Sequence, residues 1–357
     1  MNNSNTNRPR LSIGVDLGDK RSRFCLMSDT EEILVENSVA MTRHAVSRVF
    51  SKFERARVVI EASTHSAWVQ EVIQDSGHEV IVANPREVGR KYLSKTKKND
   101  RTDARTLAHL GHVSEFFLSP IKHRSRDCQV DLTLIRSRDA LMKTRTLLIN
   151  HVRSTVKIFG ERLPSCTADA FSRKVLPDIP SYLTETLVPM LKQIGAITQQ
   201  IKKFNKKVEE LCETKYPETK VLRRIPGVGP LTSLAFVLTL EDPKRFQKSR
   251  QVGAFLGLVP RQHDSGDVSP QLRITKAGNE HLRRLLVSAG QYILGHFGED
   301  CDLKRFGERL SARGGKAAKK RAVVAVARKL SVLLHMLWST GQVYEPFHST
   351  TQRKKAS

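Results

Sequence analysis

Four acids stand where an acid is costly unless it has work to do. Asp16 interrupts the apolar run I-G-V-D-L-G, and Glu61 closes another, V-V-I-E-A-S. A carboxylate inside such a strand must be paired or must coordinate a cation. Further along, K-N-D-R-T-D-A-R supplies Asp100 and Asp103, whose spacing of three puts both on one face of a helix. Unpaired they would repel, and a divalent cation removes that penalty. The plainer alternative is that these two acids only cap or solvate a helix beginning near residue 101. Four carboxylates converging at a sheet edge suit a hard, oxygen-preferring ion, Mg²⁺ first and Mn²⁺ as its substitute. Two such ions about 4 Å apart clamp the attacking and leaving oxygens of a phosphoryl transfer.

A second constellation lies in the other half of the chain. I-P-G-V-G-P, from Ile225 to Pro230, separates two helical stretches and reads as a helix-hairpin-helix. There Gly227 and Gly229 would let backbone N–H groups approach phosphate oxygens, beside the N-terminus of the following helix. A glycine turn between packed helices is the bland alternative.

The elements that must position these residues can be read from periodicity. Residues 11–28 suggest two strands joined at Gly18-Asp19, 31–40 a third strand, and 42–54 a helix. A buried strand follows at 58–63, then a helix at 65–76 and a strand at 79–85. This order implies a mixed sheet with helices on its faces. Beyond residue 100 the chain turns helical. Leu183, Leu187, Met190, Ile194, Ile197, Ile201, Phe204, Val208 and Leu211 alternate steps of four and three, a coiled-coil seam. Its antiparallel partner is the stretch from Leu132 to Ile158, with Leu134, Leu141 and Leu148 seven apart and 160–180 as the tip. Such a hairpin serves equally as a spacer or as an oligomerisation arm. The expected fold class is therefore α/β plus all-α. Its domains are an N-terminal α/β domain over 11–125, a coiled-coil helical hairpin over 126–215, a mainly helical domain over 216–345, and a flexible basic tail over 346–357.

Composition narrows the partners. The 357 residues hold 61 Lys and Arg against 36 Asp and Glu, a formal charge of +25, which calls for a polyanion. From Cys301 to Ser357 the balance is 13 to three. Aromatics are 6%, too few for base stacking to dominate. The five cysteines stand singly, without a disulfide or zinc-site spacing. No window is expected to span a membrane, and the Asn-rich start lacks a signal peptide's apolar core, so a cytoplasmic protein without membrane contact is expected.

Taken in order, I-G-V-D, V-I-E-A-S and K-N-D-R-T-D-A-R resemble the ribonuclease-H-like, RuvC-type nuclease domain of the DEDD transposases, insertion-sequence family 110, which includes the Piv-type invertases. The likeness covers roughly residues 11–150. The later stretches G-L-V-P-R-Q-H-D-S-G-D and R-I-T-K-A-G-N-E-H-L-R-R are similar to the same family's C-terminal transposase domain. Ser265 falls on the family's catalytic serine, with Asp264 before it where some members carry a second hydroxyl residue, and Ser269 is the fallback. The resemblance implies a metal-dependent tetrad at Asp16, Glu61, Asp100 and Asp103, and a nucleophile at Ser265 that would hold a cut end as a phosphoserine ester. Lys276, Arg283 and Arg284 become phosphate ligands in that region, while His65 and His263 stay outside the site. It also implies double-stranded DNA as substrate, an element-encoded guide RNA, and a homo-oligomer (dimer or tetramer) whose protomers share a composite site. The nearest rival is a RuvC-type Holliday-junction resolvase, which needs the tetrad but neither Ser265 nor the second domain. Actin-like kinases share the opening D-x-G, yet the chain lacks their later Gly-rich loops. An architectural DNA-binding protein would leave Asp16 and Glu61 unexplained.

Overall fold

The computed structural model describes residues 11–86, 99–113, 118–262 and 272–347. Ser265, Ser269, His263 and most of the expected basic tail lie outside these described residues. Two compact units divide the chain between His123 and Arg124.

The N-terminal unit is a five-stranded mixed sheet with helices on both faces. Its strands are β1 (Leu11–Asp16), β2 (Arg21–Met27), β3 (Ile33–Ala40), β4 (Ala56–Glu61) and β5 (Glu79–Ala83), in the spatial order β3-β2-β1-β4-β5. β2 runs against both its neighbours, whereas β1, β4 and β5 run parallel. The runs L-S-I-G-V-D and A-R-V-V-I-E are nearly continuous apolar segments because both sheet faces are covered. On one face, helices α1 (Arg43–Phe50) and α2 (Ser66–Asp75) pack Val46, Phe50, Val69 and Ile73 onto Ile13, Val15, Phe24, Val58 and Ile60. Thr42 caps α1 by accepting from the Ala45 N–H, which sets the helix start one residue later than the sequence suggests.

The other face is covered by α3 (Asp100–Val113). Side chains alternate along a strand, so if Ile13 and Val15 face α1 and α2, Ser12, Gly14 and Asp16 face α3. The Ser12 hydroxyl donates to the Ala108 carbonyl at 2.7 Å. At Gly14 the helix backbone comes so close that a β-carbon would lie 2.0 Å from the Ala104 carbonyl oxygen. Glycine is required there by contact, because no side chain leaves room for the helix.

The C-terminal unit is helical. Two long helices, α4 (Arg126–Ile158) and α6 (Thr184–Thr214), pack together, with the short α5 (Phe171–Lys174) and two single turns between them. Buried positions on α6 are Leu187, Leu191, Ile194, Thr198, Ile201, Val208 and Cys212. The seam therefore uses Leu187, Ile194, Ile201 and Val208 as expected, but pairs them with Leu191, Thr198 and Cys212. Met190, Ile197, Phe204 and Leu211 stand half-buried on the flank. Arg145 of α4 explains one part of the shift, since it is buried and reaches Thr198 and the Asp169 carboxylate at 2.6 Å.

The lower ends of α4 and α6 enter the main core, where Cys128, Leu132, Ile135, Val208 and Cys212 meet the remaining helices. These are α7 (Thr219–Leu222), α8 (Pro230–Leu240), α9 (Arg250–Phe255), α10 (Glu280–Leu294), α11 (Asp302–Ser311) and α12 (Gly315–Thr340). α8 is buried along nearly its whole length. The expectation that no stretch is long and apolar enough to cross a membrane is corrected here. α12 meets that test by length and composition. Its apolar face from Ala318 to Leu337 is buried, and it packs against α9, α10 and α11.

Candidate active site

Three elements bring the four acids to one end of one sheet face. β1 and β4 pair in parallel with Val15 opposite Ile60, so Asp16 and Glu61 follow side by side on adjacent strands. Neighbouring strands lie about 4.8 Å apart, which sets the two residues' backbones side by side. Val59 packs with Leu107 and Leu110 of α3, and alternation places Glu61 on that same face. Ser12 touches the later part of α3 and Gly14 its Ala104 turn, so the helix runs against β1. Its first turn, with Asp100 and Asp103, therefore lies toward the Asp16 end.

Helix geometry assigns the two stripes of α3. Asp100, Asp103, Leu107 and Leu110 recur at three- and four-residue steps, so they share one stripe. Leu107 and Leu110 pack on Val59 of β4 and on Ile81 and Ala83 of β5, which directs the acids toward the Glu61 side. Arg101, Arg105 and Ala108 form the other stripe, and Ala108 packs on Cys25 and Met27 of β2. The helix start is capped by Asn99, whose side-chain oxygen accepts from the Arg101 N–H at 3.1 Å. Asp100 and Asp103 are first-turn acids beside that cap, where the helix dipole favours negative charge.

Carboxylate oxygens fit a hard dication in their chemistry. Among the described residues, however, no group of three or more His, Cys, Asp or Glu side chains is close enough together to hold a metal ion. The elements converge, and the side chains do not close into a ligand cage. Sequence reading missed Glu36 of β3, which lies on the same face. Its carboxylate accepts from Arg101 Nε at 2.8 Å and from Arg105 Nη2 at 2.9 Å, with further contacts from both guanidiniums. These hydrogen bonds hold its carboxyl far below the usual range, at about 2. Glu36 and the arginines are 65 and 69 residues apart, so no local spacing announces the contact. His65 accepts from the Trp68 indole N–H at 3.2 Å and faces Asp19 at 3.5 Å.

In the C-terminal unit the other candidate residues take distinct places. Gly227 has φ +85°, and a β-carbon there would meet the Tyr292 ring at 2.9 Å. Gly229 caps α8, and a β-carbon on it would enter open space. Lys276 holds a left-handed backbone, φ +56°, in a turn whose N–H donates to the Gly257 carbonyl. Arg283 is buried and donates to the Leu256 and Ala277 carbonyls at 2.9 and 2.8 Å, so its guanidinium braces that turn. Arg284 makes a two-pronged contact with Asp139 at 2.9 and 2.8 Å. Pro260 and Ile274 form a β-bridge on either side of the segment that includes Ser265.

Residues 13–160 match a family profile for DEDD transposases of the IS110 type, and residues 219–302 match the transposase IS116/IS110/IS902 family. Along 351 residues the chain is 28% identical to the transposase for insertion sequence element IS1111A of Coxiella burnetii, covering 93% of this chain and 90% of that one. It is 26% identical to the transposase for insertion sequence element IS1328 of Yersinia enterocolitica, over 93% of this chain and 98% of that one. A pilin gene-inverting protein of Moraxella bovis is 25% identical over 71% of this chain and 70% of its own length.

Proposed function

Given a chain that belongs to the IS110 family of transposases, we propose that it cuts and rejoins DNA by phosphoryl transfer, using Asp16, Glu61, Asp100 and Asp103 together with Ser265. The observation that supports this reading is that β1 and β4 carry Asp16 and Glu61 side by side at one end of one sheet face, the end toward which the first turn of α3, with Asp100 and Asp103, lies. The strand order, with β2 alone reversed, supports a ribonuclease-H-like, RuvC-type nuclease domain. Asp16, Glu61, Asp100 and Asp103 would hold Mg²⁺, or Mn²⁺ in its place, in a two-ion arrangement. The bound cation supplies charge neutralisation at the scissile phosphate.

The chain's own residues do the rest. The Ser265 oxygen attacks phosphorus, a serine–phosphate ester forms, and the bond to the departing DNA oxygen breaks, that oxygen leaving as a hydroxyl. Attack by a DNA hydroxyl on the ester then restores a phosphodiester and frees the serine, so no external energy source is needed. Lys276 and Arg284 are proposed phosphate contacts, with Arg283 holding the turn that presents Lys276. The open space at Gly229 supports a helix-hairpin-helix in which Gly227 shapes the turn and Gly229 leaves the α8 N-terminus approachable by a phosphate.

The half-covered flank of Met190, Ile197 and Phe204 supports a coiled-coil arm on which a second copy rests. The domain limits proposed with this function remain 11–125, 126–215, 216–345 and 346–357. An element-encoded guide RNA suits the +25 charge as well as double-stranded DNA does. The test is strand cleavage of a supercoiled plasmid carrying the element's ends, with Mg²⁺ and RNA co-purified from the host. Asp16→Asn, Glu61→Gln and Asp103→Asn should each lower cleavage by roughly a hundredfold or more, the scale of several kcal/mol of lost transition-state stabilisation. Cleavage unchanged in all three variants would refute the tetrad. Metal-dependent cleavage indifferent to Ser265→Ala would instead favour a RuvC-type resolvase.

A further inference from the structure

We infer that a groove along α12, in the C-terminal unit, holds an unpaired DNA strand, its phosphates on a basic rim and its bases against an apolar floor. For the choice of a nucleic acid this rests on the proposed recombination chemistry; the rest comes from what lines the groove.

The groove has a volume of about 1220 Å³, larger than the roughly 300–1,000 Å³ of a small-molecule pocket. α12 lines its length from Ala317 to Val332, about 22 Å of helix. The end of α11 and the stretch around the Pro260–Ile274 bridge line it as well. Of the nineteen described residues in its lining, eleven are apolar and eight are Lys or Arg. None of them is acidic, and none is a neutral polar residue.

Neither half of that lining is satisfied within the C-terminal unit. Ile274, Phe306 and Val324 rest on the main core yet stay only half-buried, and Leu272 is 38% exposed. Less than half of the apolar stretch of α12 is buried. An open apolar surface rimmed by charge marks a place where something binds. On the rim, Arg273, Arg313, Lys320 and Arg328 are exposed and form no ion pair among the described residues. Elsewhere in the same unit the pattern is the opposite, for Arg284 grips Asp139 and Arg305 grips Asp300. Like charges held along one groove repel, and a polyanion relieves that repulsion by neutralising them.

The occupant follows from the chemistry of the two surfaces. A duplex hides the faces of its bases, so it could meet the rim but would leave the floor in water. An extended acidic peptide would bring N–H and C=O groups onto a floor that cannot pair them. An acidic helix could match both surfaces, and the proposed DNA chemistry decides against it. An unpaired strand offers apolar base faces and a phosphate for every nucleotide at once. The floor is aliphatic apart from Phe306, and the Lys329 ammonium already lies 4.6 Å from the centre of that ring. Bases therefore rest on Leu310, Val324 and Val332, which suits a chain poor in aromatics. Without a hydroxyl, amide or carboxylate, the described lining has no side-chain acceptor for a ribose 2′-hydroxyl or for base amino groups. That points to deoxyribose, and to a strand held with little regard to its sequence.

The experiment is fluorescence anisotropy of the full-length protein with three labelled probes: a short oligothymidylate, a DNA duplex of equal length and an oligouridylate. Unlabelled poly-glutamate and anionic vesicles serve as competitors. A floor variant combines Leu272→Ser with Val332→Ser, a rim variant combines Lys320→Gln with Arg328→Gln, and melting temperature reports folding. The floor variant should bind oligothymidylate about tenfold more weakly, the scale of one lost base contact, while duplex binding stays as in wild type. The rim variant should flatten the log–log salt dependence of oligothymidylate binding by about 0.7 for each cation removed. Should the floor variant fail to fold, Leu272→Ser alone, at an exposed position, carries the same comparison. Unchanged oligothymidylate binding in a folded floor variant would overturn the inference, as would equal losses for strand and duplex. Poly-glutamate or vesicles bound in place of the strand, with the same dependence on the floor, would assign the groove to an acidic protein or a lipid surface instead. Tighter binding of oligouridylate would overturn the assignment in favour of RNA. Asp16→Asn should bind oligothymidylate like wild type, so strand binding can outlast a failure of the proposed cleavage chemistry, and intact cleavage can accompany a failed groove.

Discussion

At the scale of single residues, a carboxylate on the sheet can serve structure rather than chemistry, and the N-terminal unit holds one such case. This is Glu36: two arginines hold its carboxyl at about 2, against an ordinary value of 4.5. A lowered folded value means that the unfolded chain takes up a proton the folded chain refuses. Its contribution to stability is therefore present above pH 4.5 and is lost as pH falls toward 2. Unfolding by denaturant across that interval should show a smaller loss of stability for Glu36→Gln than for wild type, and parallel curves would contradict the assignment. Asp16 and Glu61 were legible from the sequence because an acid within an apolar strand stands out. Glu36 was not, because I-L-V-E-N-S-V-A is a partly exposed strand in which an acid looks ordinary. Ser265 owes its assignment to family resemblance, since a loop serine has no local signature of its own.

At the scale of elements, the sheet was readable because its strands are short apolar runs broken by turn residues. The structure differs by one or two residues at their ends. α3 could be placed by its D-x-x-D, but its docking could not, because the decisive contact is the absence of a side chain at Gly14. Gly14→Ala sets a methyl group 2.0 Å from one backbone atom of α3 and 2.2 Å from another. Backbone cannot yield as a side chain does, so the helix must lift, at a cost of about 1–3 kcal/mol. Thermal unfolding of Gly14→Ala should reveal that loss, and an unchanged melting temperature would mean that α3 does not seat on β1 as described. The two glycines before α8 make a contrasting pair. Gly227→Ala should destabilise, for its left-handed backbone and the Tyr292 ring both resist a β-carbon. Gly229→Ala should melt like wild type yet bind duplex DNA several-fold more weakly, and equal binding would remove the helix-hairpin-helix from the interface. The α6 seam was only half legible. Hydrophobicity picks Met190, Ile197 and Phe204, while the fold buries Leu191 and Thr198, the latter because buried Arg145 needs a hydroxyl partner.

At the scale of the whole molecule, the excess of cations is the property most easily read and least specific. A charge of +25 predicts DNA binding that weakens steeply with salt, with a log–log slope of roughly −0.9 for each phosphate neutralised. Filter binding from low to moderate salt should give a slope of magnitude several. Charge-reversing Lys276 or Arg284 should lower it by about one each if they touch phosphate. A slope unaffected by either would move the interface elsewhere on the chain.

The most direct measurement is denaturing electrophoresis of the protein incubated with Mg²⁺, host-derived RNA and DNA spanning the element's ends, beside Ser265→Ala and Asp16→Ala. A covalent protein–DNA species is expected in wild type and should disappear in both variants. An adduct that survives Ser265→Ala, or cleavage in wild type with no adduct at all, would contradict it.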